Sequence, residues 1–134
     1  MIVAGFGFRR SATIDSLRSA YELAALNHDV AALATADDKV RAPCFTGLAT
    51  ALNLPVHAIS PAAISACRTT TQSPRVLQER ATGSLAEAAA LAAAGARTGA
   101  HARLIAPRHI SQDGKATCAL ATELATELTI GDDL

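Results

Sequence analysis

The chain has 134 residues, half of them hydrophobic, and its twelve Lys and Arg residues balance twelve Asp and Glu residues. This length suffices for one buried core, so we expect residues 1–134 to form a single domain. A formal net charge of zero provides no overall field that would attract nucleic acid or a membrane surface, and we expect neither as a partner. Apolar runs stay short of the roughly 20 residues of a membrane span, and no signal-peptide pattern is present, so a cytoplasmic location is expected.

The three cysteines, Cys44, Cys67 and Cys118, are widely separated and odd in number. They form no CxxC pair, and none stands at a ligand-like spacing from the histidines, which are His28, His57, His101 and His109. Disulfide frameworks and zinc sites depend on such spacings. We therefore expect reduced thiols and no bound metal.

Short apolar segments alternate with amphipathic segments along the chain. Apolar runs bounded by turn residues are typical of buried strands, and apolar residues that recur at helical spacing indicate helices. The predicted strands are Ile2–Phe6, Val30–Thr35, Val56–Ile59, His101–Ala106 and Ala116–Ala121. The predicted helices are Thr13–Leu26, Pro43 to about Asn53, Ser60-Pro61 to about Cys67, Ser73-Pro74 to about Arg80, Ser84 to Gly95, and the tail segment Ala121–Leu128.

Serine residues mark several of the predicted helix starts. Ser60 and Ser73 each precede a proline, which is favoured at the first helical position. Ser84 and Glu87 fit the spacing of a capping box. Ser11 also lies at a predicted helix start, and capping explains these serines better than a nucleophilic role does.

The alternation of strands and helices predicts an α/β fold. We expect a single-domain three-layer sandwich, in which helices cover both faces of a mixed sheet of about five strands. Asp113-Gly114 is a tight-turn signal between the last two strands. Those two strands are therefore predicted to form a C-terminal antiparallel hairpin, whereas the earlier strands are parallel.

Basic residues gather in the loops at one edge of the predicted sheet. Ligands of open α/β sheets bind beyond the carboxyl ends of the parallel strands. The cations of these loops are Arg9, Arg10, Lys39 and Arg41, with Arg75 and Arg108 as further candidates. This arrangement favours an anionic small ligand, although each residue could equally be an ordinary solvated loop charge. Phe8 would either add apolar contact with the ligand or plug the core beneath the loop.

The first loop resembles a dinucleotide fingerprint only in part. Gly5-x-Gly7 fits its first half, but Arg10 stands where the third glycine, which allows close packing of helix and strand, should be. The phosphate-binding pattern GxxxxGK[ST] does not occur in the sequence. We therefore expect no nucleotide cofactor, and no other cofactor is indicated.

Candidates for catalysis are few. Asp37 and Glu79 are the first choices for an acid or base, and His109 is another, but none has a motif partner. Asp37 adjoins Asp38, and this pair is typical of a turn. Cys44, just inside a helix start, would have either a lowered pKa or a packing role.

The order of several motifs resembles a known family. These motifs are Gly5-Phe6-Gly7-Phe8-Arg9-Arg10, Leu33-Ala34-Thr35 with Lys39, Thr71-x-Ser73-Pro74-x-Val76-x-x-Glu79, Thr82-Gly83-Ser84, Glu87-Ala88-Ala89-Ala90-Leu91 and Ala116-Thr117-x-Ala119. Together they resemble the CobE/CbiG carboxy-terminal domain family of cobalamin (vitamin B12) biosynthesis, and the length is similar to its stand-alone CobE-type members. Three positions depart from the family: Phe8 replaces a usual cysteine, Ala42 a frequent acidic residue and Arg108 a common lysine.

The resemblance implies a role in corrin-ring synthesis. Precorrins are flat macrocycles edged with carboxylates, so the implied function is to bind an anionic tetrapyrrole intermediate as a carrier or helper. Alternatives are an enzyme that opens a lactone ring or performs a related hydrolysis, and a module that docks onto other enzymes of the pathway. The implied ligand-binding residues are Gly5, Gly7, Phe8, Arg9, Arg10, Lys39, Thr71, Ser73, Arg75, Thr82, Gly83 and Ser84.

Overall fold

A mixed five-stranded sheet forms the middle layer of the computed structural model, which describes residues 1–66, 84–96 and 102–123. The strands are β1 (Ile2–Phe8), β2 (Val30–Ala36), β3 (Val56–Ile59), β4 (Ala102–Ile110) and β5 (Ala116–Glu123). Their order across the sheet is β3-β2-β1-β5-β4. The first three strands are parallel, and β5 runs antiparallel to both β1 and β4. The predicted mixed sheet with its C-terminal hairpin is thus confirmed.

Helices of the described residues cover both faces of this sheet. They are α1 (Ile14–Ala25), α2 (Pro43–Leu52), α3 (Pro61–Ser65) and α4 (Leu85–Ala96). One buried core lies between the sheet and α1 with α2, and a second lies between the sheet and α3 with α4. The architecture is therefore the predicted three-layer α/β sandwich.

Several strands extend further than the sequence pattern predicted. β1 continues to Phe8 because β5 pairs with it along its whole length, up to the pair of Phe8 with Ala116. β4 continues to Ile110 although it contains Pro107, which an edge strand tolerates because no ladder hydrogen bond is lost on its open side. The start of the predicted tail helix was wrong, since Ala121–Glu123 belong to β5.

The helix starts show which polar residues act as caps. The Ser60 hydroxyl accepts a hydrogen bond from the Ala63 amide at 3.2 Å, so its predicted capping role is confirmed. Ser11 was wrongly predicted as a cap, because Thr13 caps α1 in a reciprocal box with Ser16.

Other predicted element boundaries need smaller corrections or cannot be compared. α4 includes Gly95 and ends one residue beyond it, a difference within the usual uncertainty of helix ends. The helix predicted from Ser73-Pro74, the residues Cys67 and His101, and the tail after Glu123 lie outside the described residues.

Candidate functional site at the carboxyl edge of the sheet

The loops that follow β1, β2 and β3 meet at one edge of the sheet, as predicted. The amide of Asp37 donates to the carbonyl oxygen of Ile59 at 2.9 Å, which joins the loop after β2 to the end of β3. The ammonium of Lys39 donates to the carbonyl oxygen of Phe8 at 2.8 Å, which joins the same loop to the end of β1. Residues 9–13, 37–42 and Ser60 therefore form one contiguous surface, called here the carboxyl edge.

Phe8 contacts both a cation and the aromatic core. Lys39 Nζ lies 4.9 Å from the centre of the Phe8 ring, a distance typical of a cation–π contact. The same ring stacks on Phe45 of α2, with centroids 6.1 Å apart and planes 14° apart. Phe8 is half-buried and packs against the core under α1 and α2. These contacts favour packing of Phe8 in the core beneath the loop over apolar contact with a ligand.

Arg9 and Arg10 follow directly and have exposed side chains. The Arg9 amide donates to the carbonyl oxygen of Lys115 at 2.8 Å, and its own carbonyl accepts from Ala12 at 3.0 Å. This backbone is therefore fixed although its side chains face solvent. Within residues 1–66, 84–96 and 102–123, no ion pair involves Arg9, Arg10 or Arg41.

The two glycines of β1 bring α4 close to the sheet. A Cβ added to Gly5 would clash with the Ala86 carbonyl oxygen and the Ala90 amide nitrogen, and it would lie 2.9 Å from the Ala90 Cβ. At Gly7 it would lie 3.0 Å from the Thr117 hydroxyl. Both glycines lie inside β1, and their missing side chains allow α4 to approach the sheet closely.

The first turn of α4 carries a buried polar group beside this edge. The Ser84 hydroxyl accepts from the Glu87 amide at 3.3 Å, which confirms Ser84 as a cap. Glu87 is completely buried, and its Oε2 accepts from the Arg108 amide at 3.0 Å. Glu87 thus holds β4 at the point where its pairing with β5 is irregular. Sequence reasoning had assigned Glu87 to the capping box alone, and no sequence signal links it to Arg108.

The catalytic candidates do not come together in the described residues. Asp37 and Asp38 are exposed turn residues, as predicted. His109 Nδ1 lies 2.8 Å from the Pro107 carbonyl oxygen. Of the two roles considered for Cys44, the structure favours packing: the side chain packs against the core under α1 and α2, and burial raises the pKa of this thiol more than nearby amides and Lys39 lower it.

The remaining surface features lie elsewhere or outside the described ranges. A surface groove of about 570 Å³ between the end of α2 and the start of β3, from Thr46 to Val56, contains none of the predicted site residues. The described part of the chain contains no group of three His, Cys, Asp or Glu residues placed to hold a metal, and no helix long and apolar enough to cross a bilayer. The predicted site residues Thr71, Ser73, Arg75, Glu79, Thr82 and Gly83 lie outside the described residues and stay predictions.

Three-layer α/β domains with basic loops beyond the carboxyl ends of their strands occur in many proteins that bind small ligands. Comparison with known proteins narrows this class. The family model described as "Cobalamin synthesis G C-terminus" matches residues 2–121. The chain therefore belongs to this family and is a protein of cobalamin biosynthesis.

Solved structures agree with this assignment. CobE, a protein from the cobalamin (vitamin B12) biosynthetic pathway, is 34% identical with a TM-score of 0.82, over 92% of this chain and 91% of that chain. Cobalamin biosynthesis protein chiG from Agrobacterium tumefaciens is 32% identical with a TM-score of 0.65, over 92% and 98%. A cobalamin biosynthesis protein G homolog from Sulfolobus solfataricus shares the fold at 20% identity, with a TM-score of 0.63 over 92% and 37%. No curated protein matches the sequence.

Proposed function

We propose that this protein binds an anionic corrin or precorrin intermediate at the carboxyl edge and carries it between enzymes of the cobalamin pathway. The observation that supports this most directly is the set of exposed arginines at that edge, Arg9, Arg10 and Arg41, which form no ion pair with the described carboxylates. A precorrin presents several carboxylates around a flat ring, and guanidinium groups bind carboxylates through paired hydrogen bonds.

Electrostatic contacts alone give limited affinity. An exposed ion pair contributes about 0.2–1 kcal/mol, whereas millimolar binding needs about 4 kcal/mol. The ring of the ligand must therefore also bury apolar surface. Because Phe8 packs against Phe45, it supplies at most its remaining exposed edge. We assign Phe8 and Lys39 to holding the loop in place and the arginines to contacting the ligand.

The test is a titration with a metal-free late intermediate, hydrogenobyrinic acid. Combining Arg9→Ala with Arg10→Ala removes two ion pairs, so Kd should rise about 2- to 30-fold. Arg103→Ala controls for the loss of an exposed arginine, because Arg103 is exposed on β4 near the opposite end of the sheet, paired with Thr122. Unchanged affinity in the double variant would remove the first loop from the site, and no binding by the unmodified protein would reject the proposed function.

A further inference from the structure

The turn between β4 and β5 lies beside the first loop of the carboxyl edge. β1 and β5 pair up to Phe8 and Ala116, and the Arg9 amide continues the ladder by donating to the Lys115 carbonyl at 2.8 Å. Arg9 and Lys115 are therefore directly opposite each other. Opposite residues of an antiparallel pair have Cβ atoms about 4.5–5.5 Å apart and side chains on the same face.

Both residues carry a positive charge, and like charges directly opposite each other on two strands are unfavourable without a counter-charge. Among the described residues, neither Arg9 nor Lys115 forms an ion pair with a carboxylate. The Asp113 carboxylate attracts the Lys115 side chain, but hydrogen bonds occupy both of its oxygens. Its Oδ2 accepts from the Ser16 hydroxyl at 2.5 Å, and its Oδ1 accepts from the Ser111 hydroxyl at 2.6 Å and the Lys115 amide at 3.0 Å.

The same contacts fix the turn in position. Asp113 joins the turn to the first turn of α1 through Ser16, and the Gln112 amide donates to the Ser19 hydroxyl at 3.2 Å further along that helix. Gly114 has a φ of +74°, a conformation that other residues rarely adopt. The backbone of Lys115 is thus held opposite Arg9 by the hydrogen bonds of this turn.

We propose that the β4–β5 turn is a wall of the ligand site and that one carboxylate of the ligand binds between Arg9 and Lys115. Lys115 is then a binding residue, and Asp113 is a positioning residue that holds it there. This inference rests on the proposed function for the identity of the ligand. The paired charges themselves require only a carboxylate of suitable size.

Affinity and stability should respond differently to the loss of the Lys115 charge. Lys115→Gln removes both the repulsion with Arg9 and the attraction to Asp113, so the unfolding temperature of the ligand-free protein should change little. The same variant loses one ion pair with the ligand, so Kd for hydrogenobyrinic acid should rise about two- to fivefold. A lysine with a purely structural role would lower the unfolding temperature and leave Kd unchanged, and that result would overturn the proposal.

Two controls separate this inference from the proposed function. Lys115→Arg keeps the charge and should retain both the affinity and the unfolding temperature. Citrate serves as a simple polycarboxylate probe: it should raise the unfolding temperature of the unmodified protein more than that of Lys115→Gln. If hydrogenobyrinic acid fails to bind but this citrate difference is present, the proposed function is wrong and the paired-charge site is supported. Equal citrate effects in both proteins would refute the site.

Discussion

The two faces of the sheet are packed in different ways. The core under α1 and α2 contains large side chains, among them Phe6, Phe45, Leu17, Leu33 and Leu48. Among the described residues, the core under α3 and α4 consists mainly of alanine, with Ala32, Ala34, Ala88, Ala90 and Ala94 as examples. Small side chains let a helix approach a sheet closely, whereas large ones separate the layers and fix them by interdigitation. The two faces of this sheet are thus packed differently: one by interdigitation of large side chains and the other by close approach of a helix to the strands.

Each face supports a different part of the carboxyl edge. We call the face under α1 and α2 the aromatic face and the face under α3 and α4 the alanine face. On the aromatic face, Phe45 stacks on Phe8, which in turn contacts Lys39. On the alanine face, the close approach at Gly5 and Gly7 brings the first turn of α4 to the end of β1. The end of β1 is thus supported from one side by ring packing and from the other by the close approach of α4.

The largest effect is expected from a cavity on the aromatic face. Phe45→Ala removes a fully buried ring that contacts Phe6 at 5.7 Å and Phe8 at 6.1 Å between centroids. The free energy of unfolding should fall by about 3–5 kcal/mol, which urea denaturation will measure. Phe45→Leu should lose less, because part of the volume remains. A loss from Phe45→Ala no larger than that of an exposed substitution would mean that the aromatic cluster does not hold this face.

A smaller loss of stability is expected when a side chain is added between β1 and α4 on the alanine face. Gly5→Ala should lower the free energy of unfolding by about 1–3 kcal/mol, because α4 must move away. Combining it with Ala90→Gly should give no rescue, since the added methyl group meets backbone atoms of α4 as well as the Ala90 side chain. Gly7→Ala is the milder control, because its nearest contact is a hydroxyl at 3.0 Å. Recovery of stability in the Gly5, Ala90 double variant would show that side chains alone limit the approach.

The smallest effect concerns the turn that lies outside both cores. Hydrogen bonds from Ser111 and Ser16, followed by the Lys115 amide, lower the pKa of Asp113 from 3.8 to about 2. Because the folded-state pKa is lowered, the ionised carboxylate stabilises the fold above 3.8, and this contribution disappears as the pH falls toward about 2. The difference in unfolding temperature between the unmodified protein and Asp113→Asn should therefore be constant near neutral pH and shrink over that acidic window. An NMR titration of the Asp113 carboxyl with a midpoint near 3.8 would contradict this.

Local patterns predicted most of the fold. The bounds of β3 and the start of α2 at Pro43 were predicted to the residue, because proline and apolar runs specify them locally. The continuation of β1 to Phe8 was missed, since it depends on pairing with β5, more than a hundred residues further along the chain. Sequence distance also hid the contact of Glu87 with Arg108.

The sequence pattern predicted which loops lie at the candidate site, but it did not predict the contacts that their residues make. The cations were found because charged residues stand out between apolar strands. Lys39 was expected to contact a ligand, yet in the structure its ammonium binds the Phe8 carbonyl and ring. Lys115 was overlooked, since only the antiparallel register places it opposite Arg9.

The irregular outer strand β4 affects how the protein meets other proteins. An unpaired sheet edge is a template on which strands of other molecules can add, and native proteins protect such edges. β4 contains Pro107, which offers no N–H, and its pairing with β5 shifts register twice. At the other edge, β3 is only four residues long. Within the described residues, neither edge of the sheet favours strand addition, which disfavours fibril-type self-association through these strands.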